Sequence, residues 1–391
     1  PGSGSWRRTA ALRACRGGRP SRLTDEGLRH LEAHKFQAGC VTPIDRVMYA
    51  VWWTPLARCL PPWLSPNALT LAGTVAGLSS CALLCCCSPS LEEHIPRWAE
   101  LLTCFLVFVY QTCDALDGMQ ARRTGSSSPL GGLLDHGCDC LCLTAFTLGY
   151  CTSQGLGYSM SLYFSLCVCW FPWWLAQWEA LHTGVLITGM PFFGITEIEF
   201  VVMLIHYISA RAGSGIWRER TTIPGLGISM EWGDVCTCIQ VSVSSALFLL
   251  GAIRTLWSLK TRAARAEALW HVLPMALLVA VALLWPATLP QLHPGFFCAS
   301  ACAIYSRLAI EMVLCAMTSQ EYPSRQMGLA LLPIVYAAGL LGLLQGLLGS
   351  ALMFAFASLC VLETSWYIKD VVEEVSTHLG VSLIRIGRRD D

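Results

Sequence analysis

Long apolar segments recur along the 391-residue chain, with short polar stretches between them. A helix that crosses a bilayer needs about 20 mostly apolar residues. We find about ten segments of this kind, near residues 67–88, 97–117, 130–151, 158–181, 195–211, 235–253, 270–289, 295–317, 327–347 and 350–369. The pattern predicts an all-α, polytopic integral membrane protein with about ten transmembrane helices.

One apolar segment departs from this pattern. Residues 44–63 are interrupted by proline and arginine, which argues against a membrane crossing. Trp52, Trp53 and Trp63 in this segment suit a helix that lies in the membrane interface, with aromatic rings at headgroup level. We therefore predict an N-terminal interfacial amphipathic helix within residues 41–66.

The composition agrees with a membrane protein. Hydrophobic residues make up 54% of the chain and charged residues 13%, whereas soluble domains carry about 25% charged residues. The formal net charge is +0, so no basic field suggests a nucleic-acid partner. Most of the 21 cysteines lie in apolar segments, which is typical of small buried side chains rather than of a disulfide framework or a zinc site.

Basic residues in the loops predict the orientation. Arg122 and Arg123, the 254–265 loop and the C-terminal tail fall on one side, which we assign to the cytosol together with both termini. One loop, residues 212–234, is an exception, because it carries two arginines on the opposite side. The Arg-rich, acid-poor stretch at residues 7–22 is expected to be a basic cytosolic tail or the end of a transit peptide.

Four aspartates stand at the ends of two predicted membrane helices. Asp114 and Asp117 close one helix, and Asp135 and Asp139 open the next. Spacings of three and four residues place side chains on one helix face. The polar turn between the two helices allows them to run antiparallel, so the four carboxylates are expected to converge at one depth.

Converging carboxylates repel one another in a medium of low dielectric constant. Bound divalent cations remove this repulsion, and oxygen ligands favour Mg²⁺ or Mn²⁺. Two such ions suit phosphoryl chemistry. Gly118 and Gly131 let a ligand approach the backbone, and the Arg122 guanidinium can bind a diphosphate through two parallel hydrogen bonds. The residues therefore predict a two-ion site for a phosphate-containing substrate.

Residues 114–139 read Asp-x2-Asp-Gly-x2-Ala-Arg-x8-Gly-x3-Asp-x3-Asp. This stretch resembles the signature of the CDP-alcohol phosphotransferases, a family that cleaves the CDP diphosphate and transfers a phospho-alcohol to a hydroxyl, leaving CMP. The predicted number of spans is similar to that of the eukaryotic choline/ethanolamine phosphotransferases. We find a further resemblance to these enzymes in the stretches LSPNALTLAG (64–73), QARRTGSSSPLGGLLDHGCD (120–139), WEALHTGVL (178–186), ITEIE (195–199) and LHPGFF (292–297).

The resemblance implies a role for each matching residue. The metal ligands would be Asp114, Asp117, Asp135 and Asp139, and the CDP-alcohol would be held by Asn67, Gly118, Ala121, Arg122 and Gly131. His136, steadied by Glu197, would activate the acceptor hydroxyl. Asp139 is the alternative base, and His136 could instead hydrogen-bond to a metal ligand. Glu197 could instead be a helix-terminal acid stabilised by the helix dipole.

The head group is less clearly implied. Trp178 and Glu179 could bind an ammonium group, but an aromatic-rich interfacial belt explains the same residues. WEALHTGVL and LHPGFF look more like the ethanolamine enzymes, while the stretch at 196–199 looks more like the choline enzymes. We expect ethanolamine or dual use.

The resulting hypothesis is an enzyme that makes phosphatidylethanolamine or phosphatidylcholine from diacylglycerol and the CDP-alcohol, with two Mg²⁺ or Mn²⁺ ions. It implies a homodimer in the endoplasmic reticulum or Golgi, with the active site facing the cytosol. The alternatives are a phosphatidyltransferase that uses CDP-diacylglycerol, a divalent-cation transporter and an inactive paralogue.

We expect the chain to divide into an N-terminal, partly disordered tail (1–40), the interfacial helix (41–66), a catalytic core (67–215), C-terminal transmembrane helices for lipid access or dimer contacts (216–371) and a cytosolic tail (372–391). Among the polar residues inside the C-terminal spans, Arg307 and Glu311 are four apart and are expected to pair. His206 and Glu363 have no evident partner in the sequence and are expected to make interhelical hydrogen bonds, with lipid binding as the alternative.

Overall fold

The computed structural model describes residues 21–34, 41–187, 194–222, 225, 227–322 and 325–384. Within these ranges the fold is all-α apart from one short hairpin, in which β1 (Arg220–Thr222) pairs antiparallel with β2 (Ser229–Glu231). The helices are α1 (Asp25–Ala33), α2 (Pro43–Met48), α3 (Thr54–Cys59), α4 (Pro66–Cys87), α5 (Arg97–Thr124), α6 (Pro129–Ser153), α7 (Met160–Thr183), α8 (Ile195–Ala212), α9 (Trp232–Ser258), α10 (Arg262–Thr288), α11 (Pro294–Thr318), α12 (Met327–Leu340) and α13 (Gly346–Leu379).

Each of the ten apolar segments coincides with one helix from α4 to α13. In the described part of the chain, six of these helices are long and apolar enough to cross a membrane, namely α4, α5, α9, α10, α11 and α13. The helix α12 has only 14 residues. The all-α membrane architecture is therefore confirmed, while the number of about ten crossings stays a prediction.

Glycines let α4 pack closely on the two helices that carry the aspartates. A Cβ atom added at Gly73 would lie 2.9 Å from Cys113 Cβ on α5, and one added at Gly77 would lie 3.0 Å from Cys142 Sγ on α6. Small residues permit this close approach of membrane helices. The start of α4, with Asn67, is thereby brought next to α5 and α6.

The turn between α5 and α6 follows from its local sequence. Gly125 ends α5 with φ of 66°, a left-handed conformation that favours glycine. Ser128 caps α6 by accepting a hydrogen bond from the Gly131 N–H at 3.1 Å, and Pro129 occupies the first helical position. The two helices are thus antiparallel, as predicted from the polar turn.

The segment predicted to lie in the membrane interface docks on α5. The helices α2 and α3 are joined by a π-helical turn, Tyr49–Trp53. The Trp52 indole N–H donates to Thr112 Oγ1 at 3.1 Å, and the Arg123 guanidinium donates to backbone carbonyls of α3 and its C-terminal cap. Trp53 is buried in protein, and Trp63 is 76% exposed. The interfacial position of this segment stays a prediction.

An N-terminal helix that the sequence did not predict packs at the same end of the bundle. The α1 helix begins at a Thr24 cap, and the residues before it are held by α13. The Glu374 carboxylate accepts the Leu23 N–H at 3.3 Å, and Arg22 pairs with Asp370 at 3.2 Å. We predicted partial disorder for residues 1–40. Of these, residues 1–20 and 35–40 lie outside the described residues. Residues 385–391 of the C-terminal tail also lie outside them.

The helix α11 forms the centre of the bundle, where Arg307 and Glu311 are both buried. Arg307 Nη1 lies 3.2 Å from Glu311 Oε2, which confirms the predicted pair. The Arg307 guanidinium also sits 3.1 Å from the centroid of the Tyr367 ring on α13. A buried charge of this kind persists because it is paired.

Two further polar residues make the interhelical contacts predicted for them. His206 Nδ1 on α8 lies 2.9 Å from Glu100 Oε2 on α5 and 2.9 Å from Ser153 Oγ on α6. The Glu363 carboxylate on α13 accepts the backbone N–H of Met327 at 2.8 Å, at the start of α12. The contacts of His206 pair a polar group that is buried in the apolar interior, whereas Glu363 is partly exposed.

Candidate active site

Three of the four aspartates converge between α5 and α6. One carboxylate oxygen each from Asp114, Asp135 and Asp139 lies within 4.8 Å of the others, and all three residues are partly buried. In the described ranges of the chain, no other group of three or more His, Cys, Asp or Glu side chains comes together in this way. The convergence expected from the antiparallel helices is therefore present in the structure.

Asp117 lies beside this cluster rather than within it. It is buried, and its Oδ2 atom accepts a hydrogen bond from the Thr70 hydroxyl on α4. Its charge is still close enough to repel that of Asp114. The role of Asp117 as a fourth metal ligand stays a prediction.

Two polar side chains near the cluster were not predicted from the sequence. The Tyr110 hydroxyl donates to Asp139 Oδ1 at 2.7 Å. Glu199 is buried on α8, close enough for electrostatic repulsion with Asp114 and Asp139. Tyr110 stands four residues before Asp114 on the same helix face, so the spacing alone could have indicated it. The side of α8 that faces the cluster could not be read from the sequence.

The donor set fits a divalent cation. Ionised carboxylates offer only acceptor oxygens, and the neighbouring hydroxyls of Tyr110 and Thr70 each donate one hydrogen bond without adding positive charge. Carboxylates held this closely in a protein interior need a positive partner. Oxygen ligands of this kind match Mg²⁺ or Mn²⁺, so Asp114, Asp135 and Asp139 can hold such an ion.

The residues expected to contact the CDP-alcohol gather at the adjoining helix ends. The Asn67 side-chain oxygen would lie only 3.2 Å from a Cβ atom at Gly131, so a larger residue there would force Asn67 to shift. A Cβ atom at Gly118 would lie 3.3 Å from Arg122 Nη1. Ala121 is partly buried, and Arg122 is exposed next to the site. The positions are compatible with the predicted binding role, which stays a prediction.

A tyrosine from the segment that docks on α5 also reaches this region. Tyr49 is close enough to interact electrostatically with Arg122 and Asp114. Burial raises the pKa of the Tyr49 phenol above its usual value. The side chain therefore presents a neutral hydroxyl at neutral pH, which adds no further negative charge to the acidic site.

The residues expected to activate the acceptor lie on two helices. His136 follows Asp135 on α6, and its ring meets the edge of Trp173 with 5.9 Å between centroids. Glu197 is buried at the start of α8, where its Oε2 atom accepts the Gly194 N–H at 2.8 Å. This contact gives Glu197 a helix-capping role. Its participation in catalysis stays a prediction.

The two residues considered for the head group connect helices. The fully buried Trp178 donates its indole N–H to the Ala268 carbonyl on α10 at 2.9 Å. The Glu179 carboxylate binds Arg254 on α9 through two contacts, Nε to Oε1 at 2.8 Å and Nη2 to Oε2 at 2.5 Å. These contacts are sufficient to explain both side chains structurally, so the head-group role stays a prediction.

Comparisons with known proteins cover this region. The model of the CDP-alcohol phosphatidyltransferase family matches residues 63–264, which include every residue of the site described above except Tyr49 and Ala268. The chain is 34% identical over 234 residues to an uncharacterized CDP-alcohol phosphatidyltransferase class-I family protein 2 of Dictyostelium discoideum, over 60% of this chain and 55% of the relative.

Other relatives carry a more specific name. The chain is 35% identical over 209 residues to cholinephosphotransferase 1 of Gallus gallus, over 53% of this chain and 61% of the relative. It is also 35% identical over 210 residues to cholinephosphotransferase 1 of Homo sapiens, over 54% of this chain and 50% of the relative. The chain thus spans about half the length of the curated relatives that it matches.

Proposed function

The chain belongs to the CDP-alcohol phosphatidyltransferase family, and we propose that it transfers phosphoethanolamine or phosphocholine from the CDP-alcohol to diacylglycerol. The products would be phosphatidylethanolamine or phosphatidylcholine and CMP. The observation that carries the proposal is the convergence of Asp114, Asp135 and Asp139 inside the family match. Relatives named cholinephosphotransferase 1 support an aminoalcohol as the group transferred.

The chain's own residues bind and orient the donor. Asp114, Asp135 and Asp139, together with the neighbouring Asp117, would hold two Mg²⁺ or Mn²⁺ ions. When bound, such ions would offset negative charge on the diphosphate and on the leaving CMP. The exposed Arg122 guanidinium would bind the diphosphate through paired hydrogen bonds.

The transfer step requires a base for the acceptor. In the proposed reaction, His136 takes the proton of the diacylglycerol hydroxyl, and the acceptor oxygen forms a bond to the phosphorus that carries the aminoalcohol. The bond from that phosphorus to the CMP oxygen breaks. Glu197 would steady His136, and Asp139 is the alternative base. If a His136→Asn variant keeps the wild-type pH–rate profile, the base is Asp139 rather than His136.

The position of the site suits one soluble and one lipid substrate. Asp114 lies ten residues before the end of α5 and Asp139 ten residues after the start of α6, so both lie between the turn 125–128 and the middle of their helices. A site at the membrane edge admits the CDP-alcohol from water and diacylglycerol from the bilayer. We propose that this edge faces the cytosol of the endoplasmic reticulum or Golgi, in a homodimer.

The function is tested by a radiolabel assay in membranes that lack their own aminoalcohol phosphotransferases. CDP-ethanolamine and CDP-choline are supplied separately with diacylglycerol and Mg²⁺ or Mn²⁺. Wild type is compared with Asp135→Ala and with Asp25→Ala, an exposed acid on α1 that serves as the matched control. We expect lipid product from wild type and Asp25→Ala and none from Asp135→Ala.

The two donors separate the head groups. Resemblances in the sequence favour ethanolamine or dual use, so product from CDP-choline alone would contradict that expectation while leaving the reaction class intact. Absence of product from both donors, with inserted and folded protein, would refute the proposed reaction. Product from CDP-diacylglycerol and a polar acceptor in a parallel assay would then identify a phosphatidyltransferase.

A further inference from the structure

A pair of histidines joins α7 to α10, at positions that the proposed reaction does not use. His271 Nδ1 lies 3.2 Å from His182 Nε2, although the residues are 89 positions apart in the chain. The rings are stacked, with an interplanar angle of 27° and 5.2 Å between centroids. His271 is 7% exposed and His182 is partly exposed, so one edge of the pair can be reached from outside.

The separation of the two nitrogens matches that of two ligands on one metal ion. Imidazole nitrogens bind Zn²⁺ at about 2.0–2.1 Å in a tetrahedral arrangement, which places two of them about 3.3 Å apart. Imidazole suits Zn²⁺, Cu²⁺ and Ni²⁺, whereas carboxylates suit Mg²⁺ and Mn²⁺. The histidine pair therefore has a metal preference opposite to that of the aspartate cluster.

Neighbouring aromatic side chains hold both imidazole rings in place. Trp178 meets His182 edge-on with 5.4 Å between centroids, and Tyr322 meets His271 edge-on at 5.8 Å. Trp174 stacks against Trp178 and also contacts Tyr322, which closes a ring of five aromatic groups. Packing that fixes the orientation of a ligand reduces the cost of binding a metal.

The charges around the pair also favour a cation. Glu267 stands four residues before His271 on α10, and Glu321 follows α11. Both are close enough to interact electrostatically with His271. A cation bound by His271 would therefore be stabilised by both carboxylates.

We propose that His182 and His271 bind a transition-metal ion such as Zn²⁺ between α7 and α10, with water completing its coordination. The family match ends at residue 264, where α10 begins. The ion would therefore link the part of the chain that carries the aspartate cluster to the C-terminal helices. Its occupancy is expected to stabilise their packing, because a ligand that binds only the folded state raises the free energy of unfolding.

The test uses the full chain purified in detergent with excess Mg²⁺, so that the aspartate cluster is saturated. Zn²⁺ binding is measured by calorimetry, and Co²⁺ serves as an optical probe of nitrogen ligation. We expect one ion bound per chain, a higher thermal midpoint on binding, and at least a tenfold loss of affinity in His182→Ala and in His271→Ala. His94→Ala, which removes an exposed histidine between α4 and α5, is the matched control and should bind normally.

Asp135→Ala distinguishes this site from the catalytic cluster. Retained Zn²⁺ binding in Asp135→Ala supports the proposal, whereas loss of binding only in that variant would overturn it. Unchanged affinity in both histidine variants would also overturn it. This readout does not depend on catalysis, so failure of the proposed reaction leaves it interpretable.

A measurement on wild type covers the case in which the histidine variants fail to fold. Diethyl pyrocarbonate modifies accessible imidazoles, and mass spectrometry reports the modified residue. Zn²⁺ should protect His182 from modification and leave His94 reactive. Equal modification of His182 with and without Zn²⁺ would contradict the proposed site.

Discussion

The hydrogen bond from Tyr110 to Asp139 offers a sharp test of the aspartate cluster. The Tyr110→Phe substitution removes one hydroxyl and keeps the ring, which packs edge-on against Phe146 at 4.9 Å between centroids. The lost bond joins the hydroxyl to Asp139 Oδ1 at 2.7 Å. Since both carboxylate oxygens of Asp139 remain, the residue can still bind a metal ion but loses the hydroxyl that orients it.

The structure sets the expected size of the effect. A buried hydrogen bond to a charged acceptor contributes about 1.5–3 kcal/mol. At about 1.4 kcal/mol per factor of ten, this corresponds to roughly 10- to 150-fold in an equilibrium constant. Loss of a residue that orients a metal ligand typically weakens metal binding about 10- to 100-fold. We therefore expect the Mg²⁺ or Mn²⁺ concentration for half-maximal activity to rise at least about tenfold.

The assay titrates Mg²⁺ and Mn²⁺ against lipid product at saturating CDP-alcohol. Tyr150→Phe is the matched control: its hydroxyl is also buried, donates to Gln240 at 2.5 Å, and lies on α6 eleven residues beyond Asp139. That spacing is about 16 Å along the helix axis. The reasoning is refuted if both variants show the wild-type metal dependence, or if both shift it equally.

Three other outcomes are expected. Gly73→Ala should destabilise the protein by about 1–3 kcal/mol, because the new Cβ would lie 2.9 Å from Cys113 Cβ; Gly215→Ala, with nothing within 4 Å, is its control in thermal unfolding. Arg254→Ala should destabilise the protein more than Glu179→Gln does, because loss of Arg254 leaves the buried Glu179 carboxylate unpaired. A raised KM for the CDP-alcohol in Glu179→Gln alone would instead support the head-group role. Chelation of divalent ions should abolish product formation and added Mg²⁺ or Mn²⁺ should restore it, so full activity after chelation would argue against a metal-dependent site.

Local sequence was sufficient for the helices and for the aspartate cluster. Apolar runs near the length of a bilayer crossing located each helix from α4 to α13, although some ends differ by up to ten residues because helices such as α13 continue into polar sequence. The proximity of Asp114, Asp135 and Asp139 could be predicted, because these residues follow the helical spacing on two segments joined by a short turn. Neither inference needs knowledge of a distant contact.

Only the tertiary structure determined which neighbour each helix face contacts. Glu197 and Glu199 are two residues apart and therefore point to different sides of α8, and the sequence did not indicate that Glu199 approaches Asp114. Asp117 was expected among the metal ligands, which stays a prediction, and the sequence did not indicate that the Thr70 hydroxyl on another helix donates to it. In each case the deciding partner comes from a different helix.

The same holds for contacts between distant parts of the chain. Glu179 meets Arg254 across 75 positions, and Leu23 meets Glu374 across 351. In a soluble protein, the hydrophobic pattern shows which face of a helix is buried. In a bilayer the surrounding lipid is as apolar as the protein interior, so hydrophobicity determines where a helix lies along the chain, and only packing determines which of its faces meets which neighbour.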